Sequence, residues 1–314
     1  MKKIIAICLT LILALSLFAC AKPAEKVRVA ALAGPTGMGL AYLMQEQSDK
    51  YEVEILTAPD QVTAKVINGE VDIAAVPINL AAVLNAKTEG KVKVVAINTL
   101  GVLYLLENGN SVHSIEDIAG KTVYSVGQGS TPEYIMQLLL DAYGLSDSVT
   151  VEFIEDNAEL IARLVAGNGT VALLPEPHVS MATAQSENVR VALAVNDLWA
   201  AKNDTQVVQG VYIVRSEFLE KHKDLVDAFL KDAADSANKV VTQADAPAVV
   251  VAQGIIGKEP IAKKAIPNCN ICLITGEELK VTVSAMLNVL FNANPKSVGG
   301  AMPAEDFYYV ADPS

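Results

Sequence analysis

Two stretches of the chain share one pattern of apolar and polar positions. When the sequence is shifted by 98 residues, positions 51–77 fall on positions 149–175 without a gap, and six aligned positions are identical. Each copy starts with a short alternating strand, continues through a helix with apolar residues at helical spacing, and ends in a buried strand followed by a proline. The shared order of these signals predicts the same strand–helix–strand unit twice.

The ends of the two helices carry recognisable terminal residues. We predict Asp60 and Asn157 as the N-terminal caps, because their side chains can accept hydrogen bonds from exposed N–H groups of the first turn. Gly69 and Gly167 are the predicted C-terminal glycines, since the left-handed backbone at that position favours glycine.

A glycine-containing loop precedes each copy. The strand that begins at Val27 leads into residues 34–37 (GPTG), and the strand that begins at Thr122 leads into residues 127–131 (GQGST). A helix is predicted after each loop. Both halves therefore read strand, loop, helix, strand, helix, strand, which is an α/β unit with short connections.

The remaining sequence returns the chain to the first unit. Residues 209–215 form one more predicted strand, and four predicted helices follow, over 216–241, 246–256, 258–265 and 276–292. This last third has no counterpart after the first copy. We therefore predict lobe 1 from residues 27–105 and 210–314, lobe 2 from the inserted residues 106–209, and hinges near 105–110 and 198–210.

The first 19 residues are predicted to be a secretory signal peptide. They contain two lysines, no acid and a nearly unbroken apolar run from Ile4 to Ala19, which is short for a membrane span. Leu-Phe-Ala-Cys at 17–20 resembles a bacterial lipobox, in which Cys20 receives acyl chains such as palmitate. Residues 20–26 would then be a lipidated tether. The alternative is an ordinary signal with an incidental cysteine.

The net charge limits which classes of binding partner the chain can have. The signal removes Lys2 and Lys3 and no acid, which leaves 22 basic against 36 acidic side chains, a net charge of −14. A nucleic-acid partner is unfavourable for such a chain.

Cys269 and Cys272 form a CxxC that fits a redox pair, half a zinc site, a local disulfide or two packed thiols, and we favour the last two.

Polar residues next to the strand ends are the candidates for ligand binding. A loop between a strand and a helix start presents unpaired N–H groups, which suit an anion or a polar acceptor. Segments 77–79 and 175–178 follow strand ends and should border the same crevice. The candidates are Gly34, Pro35, Thr36, Gly37, Pro77, Asn79, Thr99, Gln128, Gly129, Ser130, Thr131, Glu176 and His178. The alternative is that these residues only form turns and caps.

The sequence gives little support for catalysis. It has no GxxxxGK[ST] motif, and the glycines of GPTGMG do not have GxGxxG spacing. The three histidines, His113, His178 and His222, have no serine or cysteine nucleophile at a known local spacing. We therefore predict no catalytic residue, metal or cofactor, and expect Glu176 to accept hydrogen bonds from a ligand.

Several segments in this order resemble one family. They are GPTGMGLAYLM, NGEVDIAAVPINLAAVL, SIEDIAGKTVYSVGQGSTPEY, PEP at 175–177 and QGVYIVRSEFLEKHKDLVDAFLKD. Together they are similar to the nitrate/sulfonate/taurine and thiamine-precursor-type solute-binding proteins of ABC importers. The resemblance implies the type II periplasmic-binding-protein fold, an α/β fold of two lobes, each a mixed sheet flanked by helices, joined by two hinge crossings.

The same resemblance implies how the protein works. The lobes would close over one small solute and deliver it to a membrane permease powered by a separate ATPase. We expect a monomer, held by lipid on the outer face of the bacterial cytoplasmic membrane or located in the periplasm.

The expected ligand is a small anionic or strongly hydrogen-bonding organic molecule, such as a sulfonate, an oxyanion or a thiamine precursor. A pyrimidine sandwich would have to use tyrosines such as Tyr42, Tyr104 or Tyr134. Two alternatives stay open: a ligand-sensing lipoprotein, and an enzyme on the same fold, of the menaquinone-pathway or pyrimidine-synthase kind.

Overall fold

The computed structural model describes residues 26–128, 131–167, 169–203 and 205–310. The predicted signal peptide, Cys20 and most of the tether lie outside these residues, as do Gly129 and Ser130. Within the described ranges, no helix combines the length and apolar character needed to cross a membrane.

Eleven strands are described. They are β1 (Val27–Leu32), β2 (Tyr51–Leu56), β3 (Ile73–Pro77), β4 (Val92–Leu100), β5 (Leu103–Asn108), β6 (Thr122–Ser125), β7 (Thr150–Phe153), β8 (Val171–Pro175), β9 (Val189–Ala194), β10 (Val208–Arg215) and β11 (Ile271–Ile274).

Thirteen α-helices are described between and after these strands. They are α1 (Pro35–Met38), α2 (Ala41–Glu46), α3 (Pro59–Ile67), α4 (Ile78–Lys87), α5 (Thr131–Ala142), α6 (Asn157–Ala166), α7 (His178–Gln185), α8 (Val195–Ala200), α9 (Ser216–Lys221), α10 (Lys223–Thr242), α11 (Ala246–Ala252), α12 (Glu259–Ala265) and α13 (Gly276–Ala293). Short 3₁₀ turns span Ile115–Ile118, Ile266–Asn268, Pro295–Val298 and Glu305–Phe307.

The strands form two mixed sheets of the same design. The sheet of lobe 1 has the order β11-β4-β10-β3-β1-β2, and the sheet of lobe 2 has the order β7-β6-β8-β5-β9. In each sheet three strands run parallel, and the strand that arrives from the other lobe, β10 or β5, pairs antiparallel with the third of them. The predicted fold class, two mixed sheets flanked by helices, is confirmed.

The apolar composition of the central strands follows from helices on both faces of each sheet. Ala30 and Ala31, neighbours on β1, point to opposite faces and are both fully buried. On one face, the Phe229 ring from α10 packs edge-on against Tyr212, with ring centroids 5.2 Å apart. Helix α13 packs on β4 and also reaches α5 of lobe 2, so the two lobes share apolar contacts.

The predicted helix caps are each displaced by one or two residues. Helix α6 is capped by Asp156, whose carboxylate accepts a 2.8 Å hydrogen bond from the Glu159 N–H, and Asn157 is the first helical residue. Helix α3 begins at Pro59 after Ala58, so Asp60 lies inside its first turn. Asp156 already has the extended backbone of an N-cap residue, and Pro59 already has the backbone of a first helical residue. Each helix therefore begins earlier than predicted, and the predicted caps are wrong.

The two C-terminal glycines have different roles. Gly69 has φ +70°, the left-handed conformation predicted for it. Gly167 has φ −102°, so that prediction is wrong for the second copy. A Cβ at Gly167 would lie 2.2 Å from Thr170 Oγ1, and glycine is needed there for close approach.

The crossings between the sheets lie slightly before the predicted boundaries. Residue 105 falls inside β5, which begins at Leu103 and belongs entirely to the sheet of lobe 2. The first crossing therefore consists of Gly101 and Val102. On the return, β10 joins the sheet of lobe 1 from Val208, so the boundary at 209/210 falls inside a strand.

One predicted helix is interrupted, and four strands, β4, β5, β9 and β11, were not predicted. The helix predicted over 216–241 breaks at His222 into α9 and α10. Helix α1 forms mostly within the predicted loop 34–37, and α2, the helix predicted after this loop, begins at Ala41. The CxxC borders β11: Cys269 is buried just before it and Cys272 is half-buried within it. Both cysteines are free thiols.

Candidate functional site

The first glycine loop has a backbone that only glycine adopts readily. Gly34 has φ +89° and ψ −155°, and its N–H donates a 3.1 Å hydrogen bond to the Ile255 carbonyl. At Gly37, a Cβ would lie 2.4 Å from the Leu32 carbonyl oxygen. The loop is therefore held tightly against the end of β1 on one side and against the segment after α11 on the other.

Buried polar side chains support this loop from below. The Thr99 hydroxyl donates to the Pro35 carbonyl and the Asn98 side-chain amide donates to the Thr36 carbonyl, both at 3.2 Å. Thr99 is fully buried, so its hydroxyl acts within the fold. A Cβ at Gly210 would lie 2.5 Å from Asn98 Oδ1, which explains a glycine in the middle of β10.

Glu176 lies at the contact between the lobes. It is 2% exposed, and its carboxylate accepts hydrogen bonds from the Ser180 N–H (3.1 Å), the Ser180 hydroxyl (3.0 Å) and the Asn268 side-chain amide (3.0 Å). Burial raises the pKa of Glu176 above its ordinary value. Glu176 is thus a hydrogen-bond acceptor, as predicted, but its donors in the structure are protein groups from both lobes.

His178 begins helix α7 and lines a cavity. Its ring is partly buried, and burial lowers the pKa of His178 below 6.5, which makes the imidazole neutral at pH 7. Within the described residues, its Nδ1 atom has no hydrogen-bond partner. His178 Nδ1 is therefore a buried polar atom that no group of the described residues satisfies.

This cavity lies between the two lobes and has a volume of about 540 Å³. Lobe 1 contributes the first glycine loop and the segment from the end of α11 to α12, and lobe 2 contributes α7. The lining is mostly apolar, with His178, Gln185 and Lys258 as the polar side chains. The lining residues are Ala33, Gly34, Pro177, His178, Met181, Ala184, Gln185, Ile255, Ile256, Gly257, Lys258 and Ile261.

The structure brings only part of the predicted set to this cavity. Gly34 and His178 line it, and the other members of the first loop lie directly behind Gly34. Pro77 pairs with Gly210 in the sheet, Asn79 is half-buried in the first turn of α4, and Gln128 is exposed. Thr131 is buried at the start of α5. The tyrosines proposed for a sandwich make hydrogen bonds within the fold. Tyr42 donates to Asp245 and Tyr104 to the Asn268 carbonyl, whereas the Tyr134 hydroxyl accepts from the Asn294 side-chain amide.

Sequence reasoning missed the segment that forms one wall of the cavity. The predicted helices over 246–256 and 258–265 leave only residue 257 of the stretch GIIGK (254–258) outside a helix, yet α11 ends at Ala252 and α12 begins at Glu259. The two isoleucines between two glycines were the available signal, because such a stretch favours a turn that presents apolar side chains. Asn98 was also missed, although it is one of the few polar residues of β4.

The described residues contain no cluster of three or more His, Cys, Asp or Glu side chains that could hold a metal ion. The polar groups in the otherwise apolar lining of the cavity are the His178 imidazole, the Gln185 amide and the Lys258 ammonium group.

Comparison with solved structures identifies the fold. An ABC transporter protein from Parabacteroides distasonis superposes with a TM-score of 0.78 at 24% identity, covering 91% of this chain and 99% of that one. The periplasmic aliphatic sulphonate-binding protein SsuA from Escherichia coli gives 0.72 at 18% identity, covering 92% and 94%. The periplasmic nitrate-binding protein NrtA from Synechocystis PCC 6803 gives 0.56 at 11% identity, covering 87% and 84%.

The fold is thus that of periplasmic solute-binding proteins. A comparison with curated protein sequences found no match. The family model described as "NMT1/THI5 like" matches residues 47–246, more than half of the 314-residue chain. The chain belongs to the NMT1/THI5-like family.

Proposed function

We propose that the protein is a solute-binding lipoprotein of an ABC importer, which captures a small organic solute between its lobes outside the cytoplasm. The observation that carries this proposal is the interlobe cavity, where Gly34 of lobe 1 and His178 of lobe 2 face one space. The solved relatives include a sulphonate-binding and a nitrate-binding protein, which supports the same function.

The lining of the cavity favours a solute with both an apolar part and a polar or anionic group. Pockets of a few hundred Å³ lined by apolar side chains with a few polar groups are typical small-molecule sites. Ile255, Ile256 and Met181 would cover the apolar part, and Lys258 would attract an anionic group. A cavity of about 540 Å³ is large for a bare inorganic oxyanion, so an organic anion of the sulfonate kind fits it better.

Closure would follow from the division of the lining between the lobes. A ligand shifts a conformational equilibrium only by the difference between its affinities for the two states. A solute that contacts both Ile256 of lobe 1 and Met181 of lobe 2 makes these contacts together only when the lobes are close. Closing of lobe 2 on lobe 1 would then present the loaded protein to a permease that works with a separate ATPase.

A thermal-shift screen of the purified mature chain tests this proposal. A sulfonate or related organic anion should raise the melting temperature, because a ligand of the folded state stabilises it by mass action. Met181→Arg fills the cavity with a charged side chain and should weaken this binding at least tenfold without lowering the melting temperature of the free protein. Val281→Arg, an equally drastic change at a 63% exposed position on α13, is the matched control.

Two results would contradict the proposal. One is a folded protein that no sulfonate, oxyanion, thiamine precursor, vitamin or amino acid stabilises. The other is normal solute binding by Met181→Arg, which would place the solute elsewhere.

The alternatives predict different observations. An enzyme would convert the bound solute, so recovery of the unchanged compound after prolonged incubation supports a binding protein. A sensor would bind its solute without serving uptake, and a deletion strain would then import it normally. If the protein serves an importer, we expect the deletion strain to lose uptake of the solute. We also expect the purified protein to elute as a monomer in size-exclusion chromatography.

A further inference from the structure

The strand directions gather basic side chains at the end of lobe 1 that lies opposite the cavity. Lys26 immediately precedes β1 and Lys91 immediately precedes β4, while Arg215 ends the antiparallel strand β10 and is the register partner of Val92. The cavity lies beyond the other end of these strands, where β1 leads into Gly34. We call this opposite end the basic end.

Two concavities form the basic end and share Arg215 and Glu217. Their volumes are about 500 Å³ and 230 Å³. Six basic side chains line them, namely Lys26, Arg28, Lys87, Lys91, Arg215 and Lys221. Three acidic side chains, Asp72, Glu89 and Glu217, accompany them. The basic end therefore carries an excess of positive charge in a chain whose net charge is negative.

One buried carboxylate organises two of the cations. Asp72 is 4% exposed and binds the guanidinium groups of both Arg28 (2.6 Å) and Arg215 (3.0 Å). Burial alone would raise the pKa of Asp72, but the hydrogen bonds from the two arginines outweigh it and leave this pKa below its ordinary value. Asp72 thus stays ionised between the two guanidinium groups, and Arg215 also lies 3.6 Å from the Glu217 carboxylate.

Three lysines of the basic end are exposed to solvent. Among the described residues, Lys26, Lys87 and Lys91 form no ion pair with a carboxylate. Ile67, which is 49% exposed, lines the same concavity as Lys87 and Lys91. An exposed apolar side chain surrounded by lysines is the composition that suits the boundary between lipid headgroups and acyl chains.

We propose that the basic end of lobe 1 binds anionic phospholipid headgroups at a membrane surface. The predicted lipidation site, Cys20, lies six residues before Lys26, a distance of about 20 Å at full extension. At physiological salt the Debye length is about 8 Å, so the facing lysines and not the distant acidic surface determine the interaction. Solute capture and membrane contact would then use opposite ends of lobe 1.

This inference goes beyond the proposed function and does not depend on the identity of the solute. It is tested with the mature chain carrying an N-terminal hexahistidine tag and Cys20→Ala, bound to vesicles that contain a nickel-chelating lipid. The vesicles are otherwise pure phosphatidylcholine or contain about one third phosphatidylglycerol. Hydrogen exchange of the peptides that cover 87–92 and 215–222 is measured on both.

On the anionic vesicles we expect exchange of these two peptides to slow several-fold relative to neutral vesicles. The variant Lys26→Glu/Lys87→Glu/Lys91→Glu should lose this protection. Without the tag, co-sedimentation of the parent chain with anionic vesicles should exceed that of the variant at least tenfold at low salt, since each basic side chain near the surface contributes to binding.

The matched control is Lys231→Glu/Lys263→Glu/Lys296→Glu, which changes the net charge equally at exposed positions away from the basic end. This control should keep the protection. Equal exchange on neutral and anionic vesicles, or equal losses in the two triple variants, would overturn the proposal. Solute binding by both triple variants is measured by thermal shift. If both variants still bind solute, a loss of membrane binding is separate from a failure of the proposed function.

Discussion

The Glu176 carboxylate of lobe 2 accepts a hydrogen bond from the Asn268 side-chain amide of lobe 1 at 3.0 Å. The contact belongs to a small network at the crossing between the lobes. The Tyr104 hydroxyl donates to the Asn268 carbonyl at 2.8 Å, and the Asn270 amide donates to the Gly101 carbonyl at 2.6 Å. The short segment before β11 therefore links lobe 1 both to lobe 2 and to the crossing itself.

Asn268→Asp should weaken this link. The change places a second carboxylate against the buried Glu176, and the loss of a partner for a buried charged group costs about 1–3 kcal/mol. We expect a lower midpoint of urea unfolding at pH 7. At pH 4 the deficit should shrink, because one carboxyl of the pair takes up a proton. Asn238→Asp, at an exposed position on α10, is the control; equal effects of the two variants would contradict this role of Asn268.

Glu107 and Arg190 form a buried ion pair in lobe 2, and its stability should depend on pH. Arg190 lies 2.9 Å from the Glu107 carboxylate, which also accepts from the N–H groups of Ser111 (2.8 Å) and Val112 (3.0 Å). Burial would raise the pKa of Glu107, but these hydrogen bonds and the Arg190 charge lower it below 4.5. The carboxylate thus stabilises the fold above pH 4.5, and this contribution is lost as the pH falls through the lowered pKa.

Glu107→Gln should lower the free energy of unfolding by about 3 kcal/mol at pH 7, since it leaves Arg190 without its buried counter-ion. The difference from the parent protein should narrow as the pH falls below 4.5 and through the lowered pKa of Glu107, as measured by thermal unfolding across a pH series. Glu116→Gln changes an exposed carboxylate nearby and should have little effect. A deficit that stays constant over the pH range would show that packing, and not charge, determines it.

Gly37→Ala should distort the first glycine loop. The new Cβ would lie 2.4 Å from the Leu32 carbonyl oxygen, so the loop or β1 must move, which costs about 1–3 kcal/mol. We expect a lower melting temperature together with weaker solute binding. Gly257→Ala is the matched control for the melting temperature alone, because a Cβ there meets nothing within 4 Å although Gly257 lines the cavity. If Gly37→Ala melts at the parent temperature, the close packing of this loop is wrong.

Cys20→Ala should move the protein from the membrane fraction to the soluble fraction of cells that express the full chain. The physical reason is that one exported cysteine would carry all the acyl chains that hold the protein. Cys8→Ala, inside the predicted signal peptide, is the control and should leave the protein in the membrane fraction. Retention of the Cys20→Ala variant on membranes washed at high salt, which screens binding by basic side chains, would remove the lipid anchor from the proposal.

The sequence repeat was sufficient to predict the three parallel strands of each sheet, whereas β4, β5, β9 and β11 lie outside it. Strand alternation, apolar helix faces and glycine loops recur in the same order, and each recurrence became a parallel strand pair with its helices. Local signals were less reliable at element ends. Asn157 and Asp60 are good cap residues, yet neighbouring residues with extended or proline backbone determined where each helix begins.

The site was harder to predict than the fold, because its lining depends on packing between distant segments. Gly34 could be found from its position after a strand. Ile255 and Met181 could not, since nothing local indicates that the turn after α11 and the side of α7 face one cavity. The sequence predicts Glu176 as an acceptor for a ligand and does not indicate its hydrogen bond with Asn268. Asn268 lies in the last third of the chain, which has no counterpart in the repeat.

Leu100 at the end of β4 and Val208 at the start of β10 are register partners in the sheet of lobe 1. The chain thus departs for lobe 2 and comes back at the open end of one antiparallel strand pair. A two-residue turn could close this pair as an ordinary β-hairpin. Lobe 2 is in this sense an insertion at the turn position of a β-hairpin of lobe 1. The half of the cavity that lobe 2 contributes could therefore differ between relatives while the basic end of lobe 1 stays the same.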